Sequence, residues 1–564
     1  MIDWIREITL VKRNVSRIAV SFICLLILPL TIISCGNGGG DSDGGLSDIP
    51  IFPPTVFMAA KDVAGTVELY ASFDDGREII KLNDNLVSGG NVVDFKISPD
   101  GIFAAYVADQ ETDQVFELYV VLVDKSDDET AVKVSVPVEG NGIKEISPGS
   151  GEYAFAWAPD SSRIGYIADA ADVVVGFFEL FSSTPDGEEK DLISDLVDSN
   201  SDVQDFEWEP KSTLIAYVAD QDTDDKFELY VSPSDSNISN RKVSGIPMVG
   251  SGVRENPPVP SGAYLFGWAP DSSRLAYIAD QNTLNIFELF TSNPDGASNL
   301  KLSGPMGING DVDEFTWAPN NSKIAYLADQ VNDVGVELYT TLPNVSGSFL
   351  KNSAGLVVGS NVTGFEWAPD SSRIAFTANK IVSKFALYTT SPNDNNNVLV
   401  SSNSPLNSEV ISFGWAPDSS RIAYVADDFN ISVLELFTTR PAAPLVNRIS
   451  GNIVAGGDVL GFEWAPNSSR VAYIADQDVN DVFELYTSTP DGSVNDNLSG
   501  VMVPGGDIQD FKWALDSSGV GYIADQDTDE VFELFASQPD GSDNTKLSGD
   551  LVVGGDVFAF EWVP

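Results

Sequence analysis

Three aspartates alternate in "DQDTDE", at Asp525, Asp527 and Asp529, and an earlier copy, "DQDTDD", carries Asp220, Asp222 and Asp225. Carboxylates spaced this way on a loop offer hard oxygen ligands of the kind Ca2+ takes. The loops lack the glycine at position six and the bidentate Glu at position twelve that complete a twelve-residue calcium loop. Other copies drift to "DQNTLN" and "NKIVSK". No motif requires a cofactor; Ca2+ is the one metal these loops suit, and a solvated acidic hairpin accounts for the same residues.

Other chemistry is narrowed by what is missing. The 564 residues include no histidine, which removes Ser-His-Asp and Cys-His catalysis and imidazole-ligated zinc. The stretch Gly40-Asp41-Ser42-Asp43-Gly44 matches G-x-S-x-G but lacks the strand-to-helix context a nucleophile elbow needs. Asp and Glu number 84 against 31 Lys and Arg, a formal charge of −53. That surface repels nucleic acid and anionic lipid and favours cations or basic partners. Adaptation to a salty medium would produce the same excess. Carboxylate pairs of the glycosidase type are available in number, although no pair stands out.

The two cysteines, Cys24 and Cys35, fall in an N-terminal targeting segment. Lys12, Arg13 and Arg17 precede the apolar run Ile18–Ile33, and Ser34 precedes Cys35. A basic flank, a short apolar core and a small residue describe an export signal over residues 1–34. The Ser34-Cys35 junction resembles the lipobox of bacterial lipoproteins, which implies acylation of Cys35. An uncleaved anchor, or a secretory signal with an incidental cysteine, would share the pattern. "GNGGGDSDGGLSD" then reads as a flexible tether within residues 35–54.

From residue 55 to 564 one sentence repeats. Every tryptophan after Trp4 occupies the same word, from Trp157 to Trp562, with Phe two residues before it. The copies lie 48 to 60 residues apart, and "FKISPDG" places Ile97 where the others have Trp. A period near 50 without helical patterning predicts an all-β propeller. "FEW" opens strand A, "APDSS" turns, "RVAYIAD" alternates as strand B, "FELYTS" is strand C, and "KLSG" marks a weak strand D. Ten "ELY"-type words predict about ten four-stranded blades, in one ring or in two smaller ones. The chain stops after a lone strand A, "FEWVP", while its first repeat begins at strand B. Pairing the C-terminal strand A with the N-terminal strands B–D would close a single ring and leave no free edge. Phe and Trp are expected to seal the blade seams. Arg163, Arg274, Arg373, Arg421 and Arg470 are expected to pair with Glu207, Glu366, Glu463 and Glu561.

"WAPDSSRIAYIAD…FELYTS…PDG" resembles the TolB-type propeller repeat, related to the propellers of prolyl oligopeptidases. The likeness spans roughly Thr55 to Pro564 and departs from TolB in blade number and in the α/β domain that precedes its propeller. It implies a module for protein interaction in the cell envelope.

Strand direction puts the uniform A–B and C–D turns on one face and the variable, acidic B–C and D–A loops on the other. Two insertions, Val136–Tyr153 and Ile246–Tyr264, fall on the variable face two blades apart. The candidate binding residues there are Lys144, Glu145, Arg254, Glu255, Asp458, Asp507 and Asp556, with Asp220, Asp222, Asp225, Asp525, Asp527 and Asp529 as candidate metal ligands. The expected protein is an exported, lipid-anchored envelope scaffold that binds an envelope protein or other cationic ligand and touches membrane only through its anchor. The alternative is a carboxylate-dependent propeller hydrolase or lyase, assisted by Ca2+.

Overall fold

The computed structural model describes residues 52–564, apart from 127–128, 148, 171–176, 196–200, 237–239, 246–251, 256–263, 308, 331–334, 356–358, 380–383, 402–408 and 429–432. The signal segment, Cys35 and nearly all of the tether lie outside the described residues.

The repeat folds as ten antiparallel sheets in one closed ring. The ninth blade shows the plan, with strand A at Val459–Trp464, B at Val471–Ala475, C at Glu484–Ser488 and D at Asn495–Asn497. Strand B is buried along its whole length, so its β-branched and aromatic residues are packed on both faces by adjoining blades. The Tyr of strand B lies opposite the Tyr or Phe of strand C, and the two rings stack in every blade, from Phe57–Tyr70 at 5.5 Å to Tyr522–Phe535 at 5.5 Å. Each such pair contributes about 0.5–1.5 kcal/mol beyond its buried area.

Blade 1 is split between the two ends of the described chain. Val557–Trp562 pairs antiparallel with Thr55–Ala59, which continues into Glu68–Phe73 and Glu78–Lys81. Blade 3 departs from the plan, because its insertion adds a strand, Val138–Ile143, beside Ile164–Ala170.

Three tiers of contacts join neighbouring blades. Each of the nine repeat tryptophans donates its indole N–H to a backbone carbonyl about one repeat earlier, as Trp464 does to Gly414 at 3.2 Å and Trp562 to Lys512 at 3.0 Å. In the A–B turns the first serine of "PDSS" adopts positive φ, 62° at Ser371 and at Ser419. That conformation costs a non-glycine residue about 1 kcal/mol. It is offset because the hydroxyl accepts the turn N–H of the preceding blade, Asp370 N to Ser419 Oγ at 3.0 Å. In strand C, threonine hydroxyls donate to the next blade's turn proline, Thr389 to Pro441 O at 2.5 Å and Thr487 to Pro539 O at 2.6 Å.

The expected Arg–Glu pairs are not how these arginines are used. Arg163 bonds Ser182, Glu189 and Asp191, and Arg470 bonds Thr487 and Asp496, all on strands C and D of their own blades or the turn between them. The arginine starts strand B and reaches outward along the sheet, whereas the "FEW" glutamate sits on strand A at its inner edge. A second charge layer takes the expected place. The buried Glu of "FELY" pairs with a lysine of strand D, as in Glu68–Lys81 at 2.9 Å and Glu533–Lys546 at 2.8 Å.

Deleting residues 557–564 would leave Thr55–Ala59 as an unpaired edge. The shortened chain should associate or aggregate in size-exclusion chromatography; a monodisperse monomer would contradict closure by this strand.

Candidate acidic loop face

On the variable face five of the B–C loops start from a buried aspartate at the end of strand B. Asp220 Oδ1 accepts the amide of Asp202 at 2.7 Å, and its Oδ2 accepts the amide of Asp225 at 3.2 Å. Asp109 does the same for Asn91 and Gln114, and Asp280 for Gly252 and Asn285. Asp476 holds the amides of Asp458 and Asp481, and Asp525 those of Asp507 and Glu530. The fifth loop residue stands at positive φ in all five loops, 60° at Asp225 and 62° at Glu530, so the carboxylate pins a backbone that would otherwise relax.

The next link crosses the seam. Asp458, Asp507 and Asp556 accept the amides of Leu434, Phe483 and Phe532 at 2.7, 2.9 and 3.0 Å, each at the start of the preceding blade's strand C. The relay therefore runs from one blade's strand C to the next blade's D–A loop, then into its B–C loop. Burial raises the Asp202, Asp458 and Asp507 carboxyls above the ordinary range, against the amides that lower them. Three of the candidate binding residues thus brace the face.

The alternating aspartates diverge. Asp525 turns inward to backbone amides, Asp527 lies 2.9 Å from Lys546, and the Asp529 carboxylate rests beside Gly505. Asp222 lies 3.0 Å from Lys242 while Asp220 faces inward, and Asp225 enters the relay through its amide. Among the described residues no three or more Asp, Glu, His or Cys stand together as a metal-holding group.

The insertions form one device twice. Lys144 donates to the carbonyls of Val203 and Gln204 at 3.0 and 3.1 Å, with its ammonium over the Phe178 ring. Arg254 donates to the carbonyl of Val312 at 2.5 Å and to Asp313 at 3.3 Å, over the Phe287 ring. Glu145 and Glu255 bridge back to Tyr153 and Tyr264, and those tyrosines lie 5.4 Å from Phe116 and Phe227. Both cations tie an insertion to the following blade, and burial pushes the Lys144 ammonium down to about 8.

Beneath the insertions lie carboxylates that spacing did not single out. Asp94 and Asp205 accept the amides of Tyr153 and Tyr264 at 3.0 and 2.9 Å, where the insertions shorten strand A of the next blade. Burial pushes both carboxyls up to about 6, and pushes Glu207 up to about 8 with the Asp205 charge adding to it. Their only sequence signal is an acid immediately before the strand-A Phe, at Asp94 and Asp205, or immediately before the Trp, at Glu207.

No family model matches the chain, and no curated protein sequence does. Solved structures similar to it include a eukaryotic initiation factor, 12% identical over 79% of this chain and 96% of that one, with a TM-score of 0.45. A TolB structure from Agrobacterium tumefaciens is 14% identical over 46% of this chain and 92% of its own, at 0.27. A prolyl endopeptidase is 11% identical over 71% of this chain, at 0.34, and this chain spans about half, 49%, of its length. At these identities the likeness concerns the fold alone. The fold here is a ten-bladed propeller.

A carboxyl whose folded-state pKa is raised supports the fold fully below its unfolded value and loses that support as pH rises through the folded value. For Asp94 and Asp205 the window runs from about 4 to 6, and for Glu207 from about 4 to 8. Thermal unfolding at constant salt should therefore start at lower temperature near pH 9 than near pH 5. Asp205→Asn with Glu207→Gln should flatten that slope. An unchanged slope in the double variant would remove these groups as its source.

Proposed function

We propose that this propeller is an exported scaffold that binds a cationic protein partner of the cell envelope on its B–C loop face. The observation that carries this reading is the layering of that face. Buried aspartates fix the loops, while a second set of acids stands exposed on the tips: Glu111 and Asp113, Asp222 and Asp224, Asp478, and Asp527 with Asp529. The tips of blades 2, 4, 9 and 10 carry these charges, whereas the tip of blade 5 is Asn282-Thr283-Leu284-Asn285, exposed and neutral. An uneven charge pattern on loops already held in place suits recognition, because little ordering entropy is lost on binding. Acylation at Cys35 would hold the ring at a membrane through the residue 35–54 tether, with contact to lipid confined to the anchor. Ca2+ remains a candidate addition at the exposed tips.

One observation favours the carboxylate-enzyme alternative. Glu207, raised to about 8, stays largely protonated at neutral pH, the state a general acid needs, with Asp205 two residues away on the same strand. Loss of any hydrolase or lyase activity in Glu207→Gln, with folding intact, would select that reading.

The test of the scaffold reading is a pull-down from envelope extract with the mature chain, with and without Ca2+. A retained partner should be lost when Asp222, Asp224, Asp527 and Asp529 are changed to Lys, and should weaken steeply as salt is raised. Equal retention by the variant, or no retained protein under either condition, would refute it. Separately, Cys35→Ala should move the protein from the membrane fraction to the soluble one and abolish incorporation of labelled palmitate.

A further inference from the structure

The opposite face, formed by the A–B and C–D turns, has a gap that the repeat itself explains. Two positions in each blade set the outer part of the seam: the residue three before the strand-B Tyr or Phe and the fourth residue of the "ELYT" word. Six blades make it polar, with Arg163/Ser182, Arg274/Thr291, Lys323/Thr340, Arg373/Thr389, Arg421/Thr438 and Arg470/Thr487. In five of these six the hydroxyl clasps the next blade's turn proline, Thr291 to Pro343 O at 2.8 Å and Thr438 to Pro490 O at 2.6 Å among them. Four blades make the same seat apolar: Pro54/Ala71, Phe103/Val120, Leu214/Val231 and Gly519/Ala536.

Three of the apolar seats are filled from within the chain. In blade 2 Phe103 stacks on Trp157 at 6.2 Å. In blade 1 Ala71 packs in one cluster with Ile97 and Val563. In blade 10 the filler comes from outside the blade. Phe52 lies against Ala536 and Trp562 and is only 4% exposed, and a Cβ on Gly519 would stand 2.5 Å from its ring. The Phe52 amide donates to Asp75 of the next blade's C–D turn at 3.0 Å.

At the fourth seat Leu214 and Val231 pack in one cluster with Trp268, and a cavity remains outside them among the described residues. Between blades 4 and 5 a cavity of about 440 Å3 is floored by Leu214, Val231 and Pro233 and faced by Asn293, Pro294 and Asp295. Val231 has no hydroxyl with which to clasp Pro294. Asp295 precedes Gly296 as Asp75 precedes Gly76, so the lip carries the acceptor that holds the Phe52 amide in blade 1. Asp295 uses Oδ1 on Ala297 N, within its own turn. At the rim Arg241 is exposed, and its guanidinium makes no hydrogen bond or ion pair among the described residues.

We propose that this seam is a docking pocket for an aromatic residue of an extended partner peptide. The ring takes the floor of Leu214, Val231 and Pro233, the peptide amide reaches the Asp295 carboxylate, and Arg241 meets a carboxylate near the aromatic residue. Blade 10 shows the occupied form of the same seat, and the exposed Arg241 guanidinium selects an acidic neighbour. The proposal does not depend on the loop-face scaffold reading, because it uses the other face of the ring.

The test uses the full mature chain and a fluorescein-labelled peptide with the sequence of residues 47–54, SDIPIFPP, which carries both an aspartate and the seat-filling phenylalanine. Anisotropy should report a dissociation constant of about 10–100 µM, a range suited to one anchored side chain. Replacing the peptide phenylalanine by alanine should weaken binding at least about tenfold. In the protein, Leu214→Arg with Val231→Thr installs the polar seat that other blades already use, and should abolish binding while blade 10 is untouched. Arg241→Ala should weaken the aspartate peptide and leave its asparagine version unchanged. Equal binding of the phenylalanine and alanine peptides, or no binding at millimolar concentration, overturns the proposal without reliance on any variant's folding. Undiminished binding by the folded double variant overturns it too. A dimer in sedimentation that the double variant dissolves would assign the seat to a second copy instead.

Discussion

The inner edge of strand A is the constraint around which the rest is arranged. In an antiparallel ladder, alternate residues turn their N–H and C=O away from the neighbouring strand. On strand A those groups face the ring interior with no further strand to meet them. At four seams the side chain of the residue that precedes the Trp position on the preceding blade supplies the partner. Where it is Glu, it accepts the next blade's amide, as Glu463 does from Trp513 and Glu561 does from Ile97. Where it is Lys, it donates to the next blade's carbonyl, as Lys96 does to Phe155 and Lys512 to Phe560. Opposite charges serve one position because the free edge offers both a donor and an acceptor. The Trp indole then adds a bond to the carbonyl of that same residue, using the oxygen's second lone pair. A sheet that would have ended in an open edge is closed by side chains one repeat away.

This explains how far the sequence could be read. The period, the four strands and the split blade were legible because they follow from alternation and from where the repeat is interrupted. Placing Trp and Phe at the seams was legible because a lone blade has two apolar faces to cover. The partners of charged residues were not. Arg163 and Glu207 recur in the same words, yet one points outward along its sheet and the other guards the inner edge, a difference of radius that linear spacing does not encode. The Glu–Lys pair of strands C and D had a usable signal, a lysine 13 or 14 residues after the "FELY" glutamate, as in Glu228 and Lys242. Lys144 and Arg254 stood out as rare bases on an acidic face, and that rarity said nothing of the carbonyls they reach.

Acidity has a local meaning in this ring that total charge conceals. A carboxylate at the end of strand B satisfies two amides at once, and the aspartate of the D–A loop satisfies a third across the seam. Backbone groups in a bent, buried loop need such acceptors whatever the protein binds. Part of the acidic excess is therefore structural, repeated because the loops are repeated. The exposed loop tips are a separate set, and their charge differs from blade to blade, from Asp527 and Asp529 to the neutral Asn282-Thr283-Leu284-Asn285.

Departures from the repeat consequently carry more information than the repeat. A polar seat needs a cation and a hydroxyl together, since either alone would leave a buried group without its partner. The two positions do change together: Arg or Lys stands with Ser or Thr, while Phe, Leu, Gly or Pro stands with Val or Ala. Once a blade has become apolar, close packing requires something to fill the space the charged pair left. Phe103, Phe52 and the Ile97–Val563 cluster do this in three blades. In blade 4 Leu214 packs with Val231 and Trp268 but leaves a cavity outside them, beside the turn aspartate, Asp295, whose counterpart holds a filler in blade 1. On the proposal made above, the seam between blades 4 and 5 is the one completed from outside.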